Sequence, residues 1–287
     1  MADIMRLDNE RESTNIEDRR GSGSMGSRSV GIGTIVLALI AMYFGVDPRM
    51  VMEIGQGLDE QRQSHGSRPV SQNDEMAKFV AKVLGSTEDT WGNIFRESGQ
   101  HYPAPKLVLF SGATSTACGT GQAAMGPFYC PSDQHVYIDL DFYNEMKNRF
   151  HAPGDFAQAY VIAHEVGHHI QNLMGTSDKI QQARQMARTE AEGNQYSVRL
   201  ELQADCYAGV WANHADGANR ILEAGDVEEA MKAAAAIGDD ALQKQAQGYA
   251  VPDSFTHGTS EQRMRWFNKG LTTGDIRKCD TFNVSAV

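Results

Sequence analysis

The stretch Tyr160-Val-Ile-Ala-His-Glu-Val-Gly-His-His169 decides how this chain of 287 residues is interpreted. Within it, His164 and His168 are four positions apart and Glu165 follows the first histidine. Residues four apart lie on the same face of an α-helix, so both imidazoles can reach one metal ion with the carboxylate beside them. An ordinary core helix with two hydrogen-bonded histidines is the alternative. Apolar residues at three- and four-residue steps predict an amphipathic helix here: Phe156, Tyr160, Ala163, Val166, Ile170 and Leu173.

A second segment, from about residue 189 to 211, offers the ligand that the first segment lacks. A catalytic zinc ion usually has three protein ligands and leaves a fourth position for water. Glu201 and Asp205 are again four apart, in a segment with helical periodicity. We expect Glu201 to bind zinc and Asp205 to accept a hydrogen bond from the free nitrogen of a ligating histidine. A solvated acidic face is the alternative, but the surrounding run is apolar, and an unpaired charge is costly to bury there.

The two motifs together resemble those of the gluzincin peptidases. The residues around them are similar to the bacterial neutral zinc metallopeptidase family of single-span membrane proteins. The resemblance runs over nearly the whole chain and includes Met125-Gly-Pro-Phe-Tyr-Cys-Pro131 and Pro252-Asp-Ser-Phe-Thr-His-Gly258. It implies a membrane-anchored zinc peptidase with a zincin-like α+β fold, mostly helical with a small sheet.

The expected chemistry is hydrolysis of a peptide bond by a zinc-activated water. Zinc bound to His164, His168 and Glu201 would acidify that water, and Glu165 would pass its proton to the leaving amine. A peptide or protein is then the substrate. The alternative is a non-catalytic membrane-anchored zinc protein, such as a scaffold or assembly factor, but a scaffold needs no general base. An amidase acting on cell-wall peptides also stays open.

Two further site residues are predicted near the C-terminus. Thr259-Ser-Glu-Gln262 forms a capping box that predicts a helix containing Arg263. The segment before it resembles the Thr-His-Pro segment of HtpX-like gluzincins, with Gly258 in place of the proline. This resemblance implies that His257 is a catalytic group that stabilises the oxyanion, with Arg263 supporting the site. Alternatives are a capping or core histidine, and an arginine paired with a surface carboxylate.

The first 68 residues divide into three predicted segments. Residues 1–28 mix both charges with no apolar periodicity, which predicts a disordered head. Residues 29–46 are uncharged and predict a transmembrane helix at the short limit of length, with a cleaved signal peptide or a buried helix as alternatives. Residues 47–68 predict a tether. Residues 69–287 then form the zinc metallopeptidase domain.

Charge on either side of the predicted span sets the expected location. Five arginines precede the span and only Arg49 and Arg62 follow it within the next 20 residues. The positive-inside rule therefore predicts a single-pass membrane protein with a cytoplasmic N-terminus and a periplasmic or extracellular domain. The net charge is −11 and the sequence has no basic patch, so we expect no nucleic-acid partner.

The four cysteines all follow the predicted span: Cys118, Cys130, Cys206 and Cys279. An even number in an exported domain predicts two disulfides. Three pairings are possible, and Cys118–Cys130 is favoured because these residues flank a short glycine-rich excursion. Four free thiols or a second metal site are the alternatives.

Several elements of the domain are predicted from periodicity and turn signals. Two helices are expected over 74–84 and 87–96, with Ser86 or Thr87 as the cap between them, and a capping box at Asp226 predicts a helix through Ile237. Strands are expected over 106–110 and 135–140, the latter paired with 128–130. An exposed strand edge can pair with an extended peptide, and a disulfide-closed surface loop is the alternative. In the zinc peptidases that the chain resembles, a strand edge beside the motif helix commonly pairs with extended substrate, and this resemblance implies a substrate edge at Gly126, Pro127, Phe128 and Tyr129.

Overall fold

The computed structural model describes residues 5–20, 73–123, 126–150, 152–285 and 287. Its strands are β1 (Ile16–Asp18), β2 (Lys106–Phe110), β3 (Ala113–Thr116), β4 (Gly119–Gln122), β5 (Phe128–Cys130) and β6 (His135–Asp139). Its helices are α1 (Glu75–Glu97), α2 (Asp141–Asn148), α3 (Asp155–Leu173), α4 (Thr176–Met186), α5 (Glu190–Asn219), α6 (Asp226–Ala236), α7 (Asp239–Gln247) and α8 (Ser260–Thr273). Short 3-10 turns span Pro252–Ser254 and Ile276–Cys279. The fold is therefore α+β and mostly helical, with small sheets.

The larger sheet has four strands in the order β1-β2-β6-β5. Strands β1, β2 and β6 run parallel to one another, and β5 is antiparallel to β6, as the predicted hairpin requires. The apolar run Leu107–Phe110 is buried throughout, which is typical of a strand covered on both faces. Strand β5 lies at the edge of this sheet. The β3-β4 hairpin forms a separate two-stranded sheet that the sequence did not predict.

The helices that carry the predicted site pack closely because small residues lie where they meet. A Cβ atom at Gly270 of α8 would lie 1.9 Å from the carbonyl oxygen of Cys206 on α5. A Cβ atom at Gly209 of α5 would lie 2.1 Å from the carbonyl oxygen of Phe267 on α8. Helix α3 also packs closely on α5: a Cβ atom at Gly167 of α3 would lie 3.0 Å from the carbonyl oxygen of Ala204 on α5. These glycines let α3, α5 and α8 approach at backbone distance.

Both predicted disulfides are present, with the favoured pairing. Cys118 bonds to Cys130, and so ties the end of β5 to the β3-β4 hairpin. Cys206 bonds to Cys279, and so ties the middle of α5 to the C-terminal segment. The described residues include no free cysteine.

Two helix boundaries differ from the prediction. The two helices expected before residue 97 are one, because Thr87 donates its hydroxyl to the carbonyl oxygen of Leu84 (2.7 Å) instead of capping a new helix. Gly85 does not end the helix: it leaves room for the backbone of Arg11, whose carbonyl oxygen lies 2.3 Å from where a Cβ would be. Helix α6 is capped by Gly225, so Asp226 forms no capping box. The capping box at Thr259 is present.

The N-terminal head is not disordered over residues 5–20. Met5 and Leu7 are 3% and 8% exposed and belong to the main core, and β1 adds a strand to the sheet. The charges that suggested disorder are paired with α1: Arg11 donates to Asp89 (2.8 Å), and the hydroxyl of Ser13 donates to Glu88 (2.6 Å). The segment packs as extended chain with isolated apolar contacts, so its sequence has no periodicity to detect.

The membrane topology predicted from the sequence is wrong. The proposed span over 29–46 lies outside the described residues, and within them no helix is long and apolar enough to cross a membrane. Residues 5–20 before the proposed span also pack into the same core as the residues after it, and residues 16–18 pair with 107–109. A single crossing would put these partners on opposite sides. The single-pass location, the cytoplasmic head and the periplasmic or extracellular assignment therefore lose their basis.

Candidate metal centre

The residues of the two predicted motifs meet where α3 crosses α5. The Nε2 atom of His164 lies 3.1 Å from Oε2 of Glu201, and Nε2 of His168 lies 3.4 Å from Oε1 of the same carboxylate. One ligand atom from each of these residues lies within 4.8 Å of the others. The close contact at Gly167 allows this approach, because it lies between the two histidines and against α5. The sequence spacing therefore brings two imidazoles and a carboxylate to one point.

The second nitrogen of each histidine is held by a side chain from the same or the adjacent helix. Nδ1 of His164 lies 2.8 Å from Oδ1 of Asp205, and Nδ1 of His168 lies 2.9 Å from Oε1 of Gln171. Both partners accept, so each histidine carries its proton on Nδ1 and turns Nε2 towards Glu201. Loss of the Nε2 protons on metal binding would leave two neutral imidazoles and one carboxylate, a donor set that fits a catalytic zinc ion.

Gln171 is a site residue that the sequence analysis missed. It is fully buried, and its amide donates to the carbonyl oxygen of Leu200 (2.6 Å) and to Oε1 of Gln203 (3.2 Å). These bonds orient its oxygen towards His168. A polar residue three positions after the second histidine, on the buried face of an apolar helix, was the available signal.

Asp205 lies at the centre of a buried polar network. It is fully buried and accepts from Arg263 through both carboxylate oxygens at 2.9 Å. The Tyr160 hydroxyl donates to its Oδ1 at 2.5 Å. Arg263, itself 2% exposed, comes from the first turn of α8 and also donates to the carbonyl oxygen of Ile237 (3.3 Å). The arginine thus contacts the carboxylate behind His164, as expected for a residue that supports the site.

The charges at this centre depend on one another. Burial raises the pKa of Asp205, but Arg263 and His164 outweigh it and hold that pKa well below its usual range. Burial also raises the pKa of Glu201, while His168 and His164 lower it well below the ordinary value. Burial lowers the pKa of His164, yet Asp205 and Glu201 raise it to about 10. The two carboxylates are therefore ionised and stabilise positive charge at the imidazoles.

Glu165 lies beside the centre in a different environment. It is 7% exposed, and it makes no hydrogen bond to another described residue. Burial raises its pKa above the ordinary value for glutamate. The carboxylate also lines the groove that leads to the histidines. Its position leaves it free to exchange a proton with a bound water or substrate.

A groove of about 1340 Å³ runs past this centre. One wall is the predicted substrate edge, Gly126, Pro127, Phe128 and Tyr129, and the opposite wall comes from α4 and the start of α5. Ordinary small-molecule pockets are roughly 300–1,000 Å³, so the groove has room for a polymer. Strand β5 lies at the edge of its sheet, and its residues Phe128 and Tyr129 line the groove.

His257 also lines the groove, but its side chain is about half exposed. Its Nδ1 atom lies 3.3 Å from Oδ1 of Asp239 and 3.0 Å from the Thr256 hydroxyl. The hydrogen bond to Asp239 raises the pKa of His257 above its ordinary value. The side chain is held by Asp239 at the rim of the groove and is not a member of the three-residue ligand group.

His169, the residue after the second ligand histidine, is not a surface residue. It is fully buried, and its ring lies between the carbonyl oxygen of Pro103 (2.7 Å) and the Tyr129 hydroxyl (2.9 Å).

Comparison with known proteins identifies the family of this chain. The family described as "Putative neutral zinc metallopeptidase" matches residues 5–282, which include the N-terminal segment and every site residue above. Uncharacterized protein YpfJ of Escherichia coli (strain K12) is 52% identical over 292 aligned residues, covering 98% of this chain and 100% of the relative. Uncharacterized protein Mb2605 of Mycobacterium bovis is 38% identical over 258 residues, covering 85% and 86%. No solved structure matches the chain. The extent of these matches shows that the chain belongs to the neutral zinc metallopeptidase family.

Proposed function

We propose that this protein is a zinc-dependent peptidase that hydrolyses peptide bonds in extended polypeptides. The observation that carries the proposal is the convergence of His164, His168 and Glu201 beside Glu165 at the floor of a groove. Zinc bound there would supply an acidified water and would polarise the scissile carbonyl group. The family match supports the metal and the hydrolase class.

The chain's own residues would perform the remaining steps. Glu165, buried and without a hydrogen-bond partner among the described residues, would accept the proton of the attacking water and deliver it to the leaving nitrogen. Asp205 and Gln171 would hold the two histidines in the tautomer that directs Nε2 towards the metal. Arg263 would keep Asp205 ionised and fixed.

Substrate would bind along the open edge of β5. Backbone groups on an edge strand pair with an extended peptide with little choice of side chain, which suits a polypeptide substrate. The size of the groove also favours a polypeptide over a small metabolite. His257 at the rim would stabilise the negative oxygen that develops when water adds to the carbonyl.

A metal-dependence experiment tests the proposal. The full chain should bind one zinc ion and cleave members of a peptide library. Cleavage should disappear on chelation and return when zinc is added. His164→Ala, His168→Ala and Glu201→Ala should each lose zinc and cleavage together. A zinc-replete chain that cleaves no member of the library would favour a non-catalytic zinc protein, and full zinc occupancy in one variant would remove that residue from the ligand set.

A further inference from the structure

Tyr129 connects the edge strand β5 to the metal-carrying helix α3 through its hydroxyl group. It is the middle residue of β5 and lines the groove. Its hydroxyl oxygen lies 2.9 Å from Nδ1 of His169 and accepts a hydrogen bond from Nδ2 of Asn172 at 3.1 Å. Both partners belong to α3, and His169 directly follows the predicted ligand His168. One phenol group therefore contacts two side chains of the helix that presents the metal site.

The direction of these hydrogen bonds follows from the surroundings. Nε2 of His169 lies 2.7 Å from the carbonyl oxygen of Pro103, which can only accept, so this nitrogen carries the proton. Nδ1 then has a free lone pair and accepts from the Tyr129 hydroxyl. That hydroxyl donates once and accepts once, from Asn172, and both roles are filled. Only one assignment of donors and acceptors is consistent with these partners, and it fixes the position of the phenol oxygen.

Three other restraints on β5 act within its own sheet and the neighbouring hairpin. Phe128 stacks on Tyr137 of β6 with ring centroids 4.9 Å apart, and Cys130 is bonded to Cys118 of the β3-β4 hairpin. Backbone pairing joins β5 to β6 on one side. These contacts hold the strand within its own layer. Contact with α3 comes from the Tyr129 ring, which packs edge-on against His169 with centroids 5.4 Å apart, and from the carbonyl oxygen of Pro131, which accepts from Nδ2 of Asn172 at 3.5 Å. The two hydrogen bonds of the Tyr129 hydroxyl are the shorter polar links between the strand and the helix that carries His164 and His168.

That distance matters for an extended substrate. A peptide paired with β5 must also place its scissile carbonyl at the metal, so the strand and the ligand helix have to keep a fixed separation. Errors of about 1 Å in such a position are enough to cost about a hundredfold in rate. A strand of three residues has few backbone bonds with which to hold itself.

We propose that Tyr129, His169 and Asn172 are positioning residues that hold the substrate-binding edge strand at a fixed distance from the metal helix. The inference rests on the proposed peptidase function and adds residues to it. None of the three binds the metal. Their effect should therefore be seen in substrate binding, with zinc content preserved.

Peptide binding by a catalytically inactive chain tests the inference without relying on turnover. The full-length, zinc-loaded Glu165→Gln variant is titrated with fluorescein-labelled casein, followed by fluorescence anisotropy. Adding Tyr129→Phe should weaken binding by about three- to tenfold, the range expected for the loss of one or two hydrogen bonds. His169→Ala should weaken it similarly, and the combination should be little worse than either alone, because both remove the same contact.

Two controls separate positioning from a general loss of stability. His169→Asn can place an oxygen near the lost Nδ1 and should recover part of the affinity. Tyr143→Phe also removes a buried hydroxyl, but that hydroxyl has no hydrogen-bond partner among the described residues, so binding should not change. In the active chain, Tyr129→Phe should lower kcat/KM at least as much as it weakens casein binding by Glu165→Gln, because a displaced scissile carbonyl also reacts more slowly.

Each other outcome would overturn the inference. Unchanged affinity in Tyr129→Phe, an equal loss in Tyr143→Phe, loss of zinc from Tyr129→Phe, or no casein binding by Glu165→Gln would each contradict a positioning role. Failure of the proposed function is distinguishable: a wild-type chain that cleaves nothing, while Glu165→Gln binds casein in a Tyr129-dependent manner, would reject the peptidase and retain the positioned strand.

Discussion

Nδ1 of His164 lies 2.8 Å from Oδ1 of Asp205, while the opposite nitrogen of the same ring faces Glu201. The aspartate is four residues after the glutamate on one helix, so a single turn of α5 supplies both the carboxylate at the metal position and the carboxylate behind the histidine. A histidine ligand held in this way has a fixed tautomer and a more basic metal-facing nitrogen.

We therefore expect Asp205→Asn to lower zinc affinity by about 10- to 100-fold. The amide cannot keep both hydrogen bonds to Arg263 and still hold His164 through the same atoms. Competition with a chromophoric chelator measures the dissociation constant. Asp240→Asn is the matched control, because Asp240 also binds the start of α8, through Ser260, but contacts no histidine. Equal zinc affinity in wild type and Asp205→Asn would remove Asp205 from the site.

The close approach of α5 and α8 predicts a large effect at a glycine. Gly270→Ala places a methyl group against the backbone of Cys206 and should destabilise the fold by roughly 3 kcal/mol. Gly217→Ala, on α5 with no atom within 4 Å of the new Cβ, should be neutral or stabilise by up to about 1 kcal/mol. Urea unfolding followed by tryptophan fluorescence measures both. Similar stabilities for the two variants would contradict the described helix contact.

The N-terminal segment should contribute to stability as part of the core. Leu7 is 8% exposed, so Leu7→Ala should lower the free energy of unfolding by about 2 kcal/mol or more. The adjacent Arg6 has a largely exposed side chain paired with Glu223, so Arg6→Ala should cost less than about 1 kcal/mol. Urea unfolding of the full chain gives both values. No effect of Leu7→Ala would mean that the head is detached, as the sequence had suggested.

His257 should affect turnover without affecting zinc. His257→Ala should leave one zinc per chain and lower kcat by roughly a hundredfold with KM little changed, as expected for an interaction made mainly in the transition state. Steady-state kinetics and metal analysis measure both quantities. Wild-type kcat in a stable, zinc-replete variant would make His257 structural.

The raised pKa of His257 predicts the direction in which kcat changes with pH. Asp239 raises the pKa of His257, and the protonated ring is the form that stabilises an oxyanion. The contribution to kcat should be present below this raised pKa and should be lost as pH rises through it. Asp239→Asn lowers the pKa, so the decline should begin at a lower pH. An unchanged alkaline limb in Asp239→Asn would contradict this assignment.

The sequence carried most of the information about the metal centre. Spacing of four residues on helices places His164 with His168 and Glu201 with Asp205, because helical geometry fixes which side chains share a face. The reach of Arg263 to Asp205 depends on how α8 packs on α5, and only the resemblance to known peptidases indicated it. The roles of Gln171 and His169 were not predicted, because the contacts that orient them come from residues far away in sequence: Leu200 and Gln203 for Gln171, and Pro103 and Tyr129 for His169.

The fold was predictable where periodicity and turn signals were strong. Strands β2, β5 and β6 and the capped helix α8 agree with their patterns. The prediction of a disordered head was wrong for residues 5–20, because isolated apolar residues and mixed charges are also typical of a disordered segment. Met5 and Leu7 nevertheless reach the core. The β3-β4 hairpin was not predicted, because its residues are small and polar. It is held by backbone pairing and by the Cys118–Cys130 disulfide, and not by a hydrophobic face.

Comparison of wild type with Glu165→Gln tests whether Glu165 transfers the proton during hydrolysis. Both proteins, as full chains loaded with zinc, are assayed for metal content, unfolding and cleavage of casein. We expect one zinc per chain and equal stability within about 1 kcal/mol in both, with hydrolysis reduced by at least a thousandfold in the variant, because only the proton transfer is lost. Hydrolysis by zinc-loaded Glu165→Gln at a rate near that of wild type would show that Glu165 is not the general base.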